Sequence, residues 1–178
     1  MATFLAITIG PIYKTMSQAR KTRELWSASF SFSLLMKYLI KEFSKYGKLK
    51  SPSDEVKLPL HGAGVFPDRC YFELTQGLDV NQINTAKHNA LNKLSQITGY
   101  SLSDLDSFQI YVVQKEIAQN PIQKLNIILD GLELNNKYHP KKAFDIEKNY
   151  WSNSGFFQNL YDKGYAAKDI LPPILSID

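Results

Sequence analysis

Cysteine is nearly absent from this 178-residue chain, with Cys70 standing alone. A lone cysteine excludes an intrachain disulfide and a paired-cysteine zinc site, and it points to a reducing, cytoplasmic setting. Histidine is equally sparse. His61, His88 and His139 are far apart and form no ligand-spaced pair. His61 sits in a Gly-rich stretch and reads as a solvated loop residue. No apolar run approaches the roughly 18–20 residues that span a bilayer, which excludes a membrane-spanning helix. Met1–Gly10 is apolar but lacks a basic leader and a small-residue cleavage site, so it reads as a strand and not as a signal peptide. The nine Gly and eight Pro are scattered and form no low-complexity tract or internal repeat. Neither of the glycine-rich phosphate-loop patterns occurs, and no strand carries the aromatic pattern of an RNA-recognition motif.

What is present is a core. Hydrophobic residues make up 44% of the chain and aromatics 12%, enough for a globular domain without staples. The net charge is +4, but it is unevenly placed. Up to Leu60 the bases are Lys14, Arg20, Lys21, Arg23, Lys37, Lys41, Lys45, Lys48, Lys50 and Lys57, against Glu24, Glu42, Asp54 and Glu55. That asymmetry calls for an anionic partner on the N-terminal part: phosphate, nucleic acid or an acidic protein face.

Thr3–Ile9 is a short β-rich apolar run, expected to be a strand buried on both faces and stopped by Gly10-Pro11. Helical periodicity then runs from about Ile12 to Tyr46, with one apolar stripe through Met16, Trp26, Phe30 and Leu34 and another through Leu25, Phe32, Leu35, Leu39 and Phe43. One long helix is expected, ending at Gly47. Lys48–Pro59 is polar and Pro-containing, which predicts a loop. Val65-Phe66 and Arg69–Leu74 read as a hairpin bent at Pro67-Asp68, with Cys70, Phe72 and Leu74 inward. Asp79, with Gln82 three residues on, predicts a capping box and a helix ended by Gly99. Phe108–Val113 is a strong strand. Asn120-Pro121 opens another helix, with Ile122, Leu125, Ile128, Leu129 and Leu132 as its buried stripe. A short helix is expected around Ser154–Asp162, within an aromatic tail that includes Phe144, Tyr150, Trp151 and Tyr165. Leu171-Pro-Pro-Ile174 stops any helix. The order β-α-β-β-α-β predicts an α+β, ferredoxin-like domain over residues 1–116, followed by a helical, aromatic-rich extension over 117–178.

The segment from Ile9 to Ser33 reads IGPIYKTMSQARKTRELWSASFSFS. A strand enters Gly-Pro and is followed by Ala19-Arg20-Lys21-Thr22-Arg23-Glu24-Leu25-Trp26 and small residues at Ser27, Ala28 and Ser29. With Gly64-Val-Phe-Pro-Asp-Arg69, which enters a second strand, this resembles the N-terminal palm of the large subunit of type III CRISPR–Cas effector complexes, the Cas-ten family in its Cmr (III-B-like) form. The two motifs cover roughly the first 75 residues, and the order of elements extends the likeness to about Lys115.

The resemblance implies a cyclase- or polymerase-type palm in an RNA-guided antiviral complex. Its partners would be the other effector subunits and, through them, guide and target RNA. It implies ATP as a ligand, with cyclic oligoadenylate as the family's product, and Mg²⁺ held by a second palm. This chain has no Gly-Gly, Asp-Asp or His-Asp dipeptide, and its first strand carries no carboxylate for a metal. Tyr13 stands where the family has Gln. No catalytic or metal-binding residue is therefore expected, and the chain alone is expected to be inactive: a domain of a longer subunit, part of a split subunit, or a reduced form. Six residues are expected to meet nucleotide or partner. Gly10 would allow backbone approach, Arg20, Arg23 and Arg69 would neutralise phosphate, Ser29 would donate a hydrogen bond, and Asp68 lies beside them. Arg20, Lys21 and Arg23 stand at the start of a helix, where positive charge opposes the macrodipole. They call for an anion, either Glu24 or Asp68 within the chain or a phosphate outside it. Two other functions fit the same residues: a non-catalytic scaffold palm that places guide RNA and subunits, and an unrelated ferredoxin-like RNA-binding module.

Overall fold

The fold is built around its first strand, β1 (Ala2–Gly10), in which every residue from Phe4 to Gly10 is buried. A computed structural model describes residues 1–17, 19, 22–53, 63–106, 108–134 and 154–165. The expectations for Arg20, Lys21, Asp54–Pro59, His61, His139, Phe144, Tyr150, Trp151 and Leu171–Ile174 lie outside these residues. The remaining elements are α1 (Ile12–Met16), α2 (Thr22–Phe43), β2 (Gly47–Ser51), β3 (Arg69–Leu74), α3 (Val80–Thr98), α4 (Leu102–Leu105), β4 (Gln109–Ile117), α5 (Pro121–Leu134) and a last helix, α6 (Ser154–Asp162). The strands form one sheet in the order β2-β3-β1-β4, and each neighbouring pair is antiparallel. The chain is thus α+β, with helices on both faces of a four-stranded antiparallel sheet.

Strand alternation explains the two faces. Leu5, Ile7 and Ile9 of β1, Leu49 of β2, Cys70, Phe72 and Leu74 of β3 and Ile110 of β4 point to one side. There they join Phe30, Leu35, Leu39 and Phe43 of α2 and Ala90 and Leu94 of α3 in the main core. Phe4 and Ala6, Tyr71 and Ile117 point to the other side and form a smaller cluster with Leu125 and Leu129 of α5. The outer helix α6 closes the main core. Its Phe156 stacks on Tyr100 at 5.6 Å, and Leu160 is fully buried. Tyr165, just beyond it, shares a 2.9 Å hydrogen bond with Tyr38. Of the described tail aromatics, Phe156 is therefore core and Tyr165 packs against it, while Tyr161 is exposed. The Asp79–Gln82 capping box is formed, and Gly99 ends α3 at φ +79°.

Five expectations need correction. The helix expected from Ile12 to Tyr46 is two helices. After Met16 the chain makes a turn in which the Ala19 N–H donates to the Met16 carbonyl, three residues back, so the i→i−4 ladder does not continue. Periodicity hid the break because apolar residues resume in phase beyond it. The loop expected from Lys48 is a strand up to Ser51. Its lysines give it a polar composition while Leu49 alone faces the core, the mark of a short edge strand. The β3 hairpin partner is this β2 and not Val65-Phe66, because the Phe66 N–H is taken by Ser33 Oγ of α2 at 2.8 Å. On α5 only Leu125 and Leu129 of the expected stripe are fully buried, and Ile122 and Leu132 are exposed.

Gly47 is not a helix stop. It opens β2 at the point where the two strands come closest. A Cβ there would sit 2.4 Å from the Glu73 carbonyl oxygen and 2.8 Å from the Leu74 Cα, both backbone atoms. Gly47→Ala should cost about 1–2 kcal/mol in urea unfolding, because one edge strand must shift to make room. A neutral result would mean that β2 and β3 separate freely at this end.

The seam between α2 and α3 carries Glu42, which pairs with Lys45 at 2.6 Å and accepts from Asn89 Nδ2 at 3.1 Å. Burial opposes its ionisation, but Lys45, Asn89 and Lys41 together outweigh it and hold the carboxyl below the ordinary glutamate range. A depressed carboxylate adds stability above its unfolded pKa of about 4.3, and that stability is lost as pH falls through the folded value. Acidification below about pH 4.3 should therefore destabilise the wild type more steeply than Glu42→Gln in parallel thermal melts. Equal slopes would show that the seam does not sense this proton.

Candidate functional site

A cleft of about 970 Å³ opens at the C-terminal end of β1. That volume lies within the range of small-molecule sites, roughly 300–1,000 Å³. Its position follows from the topology. The end of β1, the starts of β3 and β4, the short α1 and the last turns of α5 all converge there. Ile9, Pro11, Ile12 and Met16 give it an apolar floor, and Tyr13 and Tyr111 offer ring faces. Asp68, Asp130 and Glu133 supply carboxylates. A smaller hollow of about 130 Å³ adjoins it, lined by Ser29, Ser33, Gly64 and Phe66, and it shares Ile9, Ile12, Met16 and Asp68 with the cleft.

The expected residues fall out as follows. Gly10 and Asp68 meet in the cleft, and the Asp68 carbonyl accepts from the Ile9 N–H at 3.2 Å, which fixes the turn beside the strand end. Ser29 belongs to the adjoining hollow, 3.7 Å from where a Cβ on Gly64 would lie. Gly64 has φ +68°, a conformation that glycine adopts without strain. Arg23 lies in the first turn of α2, and its side chain, like all of Arg20, is outside the described residues. Arg69 is engaged within the chain. Its Nη2 pairs with Asp130 at 2.7 Å and Glu133 at 3.0 Å, and its Nη1 donates to Asn126 at 3.0 Å.

This network ties α5 to the sheet. Thr8 Oγ1 of β1 donates to Glu133 at 2.6 Å, and the Tyr71 hydroxyl of β3 donates to Asn126. Burial alone would weaken the charge on Arg69, but hydrogen bonds to Asp130 and Glu133 prevail and raise its pKa above the ordinary value. Burial, and then the charge of Glu133, push the Tyr111 hydroxyl up, so it stays a neutral donor at physiological pH. Asn126, Asp130 and Glu133 were not singled out from the sequence. Their spacing of four and three residues puts them on one edge of a mostly apolar helix, and that polar edge was the available signal. Cys70 faces the other core, where burial pushes its thiol up and keeps it protonated.

The chemistry follows from these groups. The apolar floor and rings suit a flat base, and the carboxylates suit hydroxyl or cationic donors. Within the described residues the only arginine at the cleft is already matched by two carboxylates, which does not suit a triphosphate. Phosphates would need the basic segment that begins just past Ser17, itself a lining residue. Among the described residues no group of three or more metal-ligating side chains is placed to hold a metal ion. Among the described residues no helix is long and apolar enough to cross a membrane.

No curated protein matches the chain. The family model described as "CRISPR-associated protein Cmr2, N-terminal" matches residues 4–99, just over half of the sequence. The match takes in β1 with Gly10, all of α1 and α2, Asp68 at the cleft and α3 to its capping glycine. The chain therefore belongs to the N-terminal Cmr2 family of CRISPR-associated proteins, the large-subunit family of the type III-B Cmr effector complex.

Proposed function

We propose that this chain is the ferredoxin-like first palm of the large subunit of a type III CRISPR effector, and that it helps to form an ATP pocket for cyclic oligoadenylate synthesis while docking the other subunits. The observation that carries this reading is the cleft at the end of β1, where Gly10 and Asp68 of the family-matched segment meet. The strand order β2-β3-β1-β4, with every neighbour antiparallel, supports the palm topology. In this reading the cleft takes the base and ribose, with Tyr13 or Tyr111 against the ring and Asp68 accepting from a hydroxyl. Arg20 and Arg23 meet the phosphates. Mg²⁺ and the chemistry come from a second palm, and guide and target RNA are met through the assembled complex.

The test uses the complex assembled with its other subunits. ATP binding should weaken at least tenfold in the Arg20→Ala/Arg23→Ala variant, the loss of about 1.4 kcal/mol or more that charged hydrogen bonds to phosphate supply. Unchanged ATP affinity would remove the nucleotide part of the proposal. The acidic rim favours a second reading, a scaffold palm without nucleotide, because three carboxylates there face one committed arginine. That reading expects normal assembly and no ATP binding in wild type and variant alike.

A further inference from the structure

The sheet has two open edges, and they are unlike. β2 is five residues long, carries Lys48 and Lys50, and slips its register against β3 between Leu49 and Ser51. Shortness, lysines and a bulge are devices that keep a strand edge from pairing with another chain. β4 lacks them over most of its length. It is nine residues long, pairs with β1 without a break from Gln109 to Ile117, and holds no proline and no charge before Lys115. Among the described residues nothing pairs with its outer side.

Hydrogen-bond direction shows what that side presents. The Ile9 N–H donates to Asp68 on the β3 side, so Thr8 and Ala6 turn their N–H and C=O groups to β4. Their partners Tyr111 and Val113 face back to β1. Ile110, Val112 and Gln114 therefore aim their backbone groups outward.

α5 overhangs the same edge. Its Asn126, Asp130 and Glu133 reach inward to β3 and β1. Ile128 and Leu132 stand two residues on from Asn126 and Asp130, about 200° further round the helix, on the flank toward β4. Leu132 is 38% exposed and Ile128 is only half-buried, because the sheet beneath them ends.

One two-fold axis satisfies both features. Placed at Val112 and perpendicular to the sheet, it sets Val112 beside its own copy, Ile110 opposite Gln114 and Tyr111 opposite Val113, with about six backbone hydrogen bonds. Lys115 falls opposite Gln109, so no like charges face each other. Strands lie about 4.8 Å apart and α5 packs on β1 and β4 alike, which puts the two α5 helices about 10 Å apart on one face. That is the ordinary spacing of packed helices, and it brings Ile128 and Leu132 of one copy against those of the other. A single added strand would leave that flank bare.

We propose that two copies of this chain join edge to edge through β4, antiparallel about Val112, into one continuous sheet. The contact does not depend on what the cleft binds.

The test is sedimentation equilibrium of the full chain over a range of concentrations. The mass should rise toward twice the 20.3 kDa of one chain. Leu132→Lys sets a charge against the apolar flank and should weaken the dimer at least tenfold, with an unchanged melting temperature showing that it is folded. Under mild oxidation Val112→Cys should cross-link two chains, since paired Cα atoms about 5.5 Å apart are within disulfide reach. Lys48→Cys, on the other edge, should not. The dimer is overturned if the wild type keeps the mass of one chain at every concentration, or if Leu132→Lys associates as the wild type does. It is equally overturned if Val112→Cys stays uncross-linked or Lys48→Cys cross-links as fast. A chain that stays single but binds a labelled peptide of the Gln109–Ile117 sequence would assign the edge to a foreign strand, and that too overturns the proposal.

Discussion

Phe72→Ala should unfold the protein about 3–5 kcal/mol more easily than wild type. Phe72 is fully buried on β3, between two strands that both pair with it: Leu5 of β1 lies opposite on one side and Leu49 of β2 on the other. Its ring sits 6.3 Å from that of Phe43, the last residue of α2. Truncation removes a large side chain packed among both strands and the helix, and fixed backbone on three sides cannot close the hole. In a chain of this length the loss should lower the melting temperature by roughly 10 °C or more. Phe72→Leu, which keeps most of the volume, should cost no more than about 1.5 kcal/mol. If the two variants melt together, the cavity argument is wrong and the site relaxes.

Arg69→Ala should cost about 2–3 kcal/mol, through a different route. Three partners on α5 converge on this guanidinium, and its side chain is 21% exposed. Removing it leaves Asp130 and Glu133 facing each other. At 55% and 38% exposure they can turn to water, which keeps the loss below that of a fully buried pair. The damage should be local. Hydrogen exchange should speed up across α5, while β1 stays protected by the main core. Glu133→Gln should soften the effect of Arg69→Ala, because the like-charge clash is gone. Additive losses in that double-mutant cycle would show that the two side chains do not interact.

The sequence was readable where one local signal was enough. β1 is a continuous apolar run because it is buried on both faces. α3 carries its own capping box and its own terminating glycine. Ser154–Asp162 emerges as a helix with the bounds expected of it. Failures occurred where partners distant in sequence decide. β2 looks like a loop because four of its five residues are Gly, Lys and Ser, and only pairing with β3 makes Gly47–Ser51 a strand. Phe66 looks like a strand residue until Ser33 takes its N–H. At the site, Gly10 and Asp68 were legible from their motifs. Asp130 and Glu133 became visible only once α5 was seen to cross the face that carries Thr8 and Arg69.

That crossing makes the polarity of the cleft depend on where one helix sits. α5 rests on the sheet through two fully buried leucines and one polar network. While it is docked, it adds two carboxylates to Asp68 at the cleft and neutralises the Arg69 guanidinium. With α5 away from the sheet, both acids leave with it, and Arg69, fixed on β3, becomes an unmatched cation beside Gly10 and Asp68. The same residues would then repel anions in one position of the helix and attract them in the other. A probe of the opening of α5 is therefore also a probe of the sign of the site.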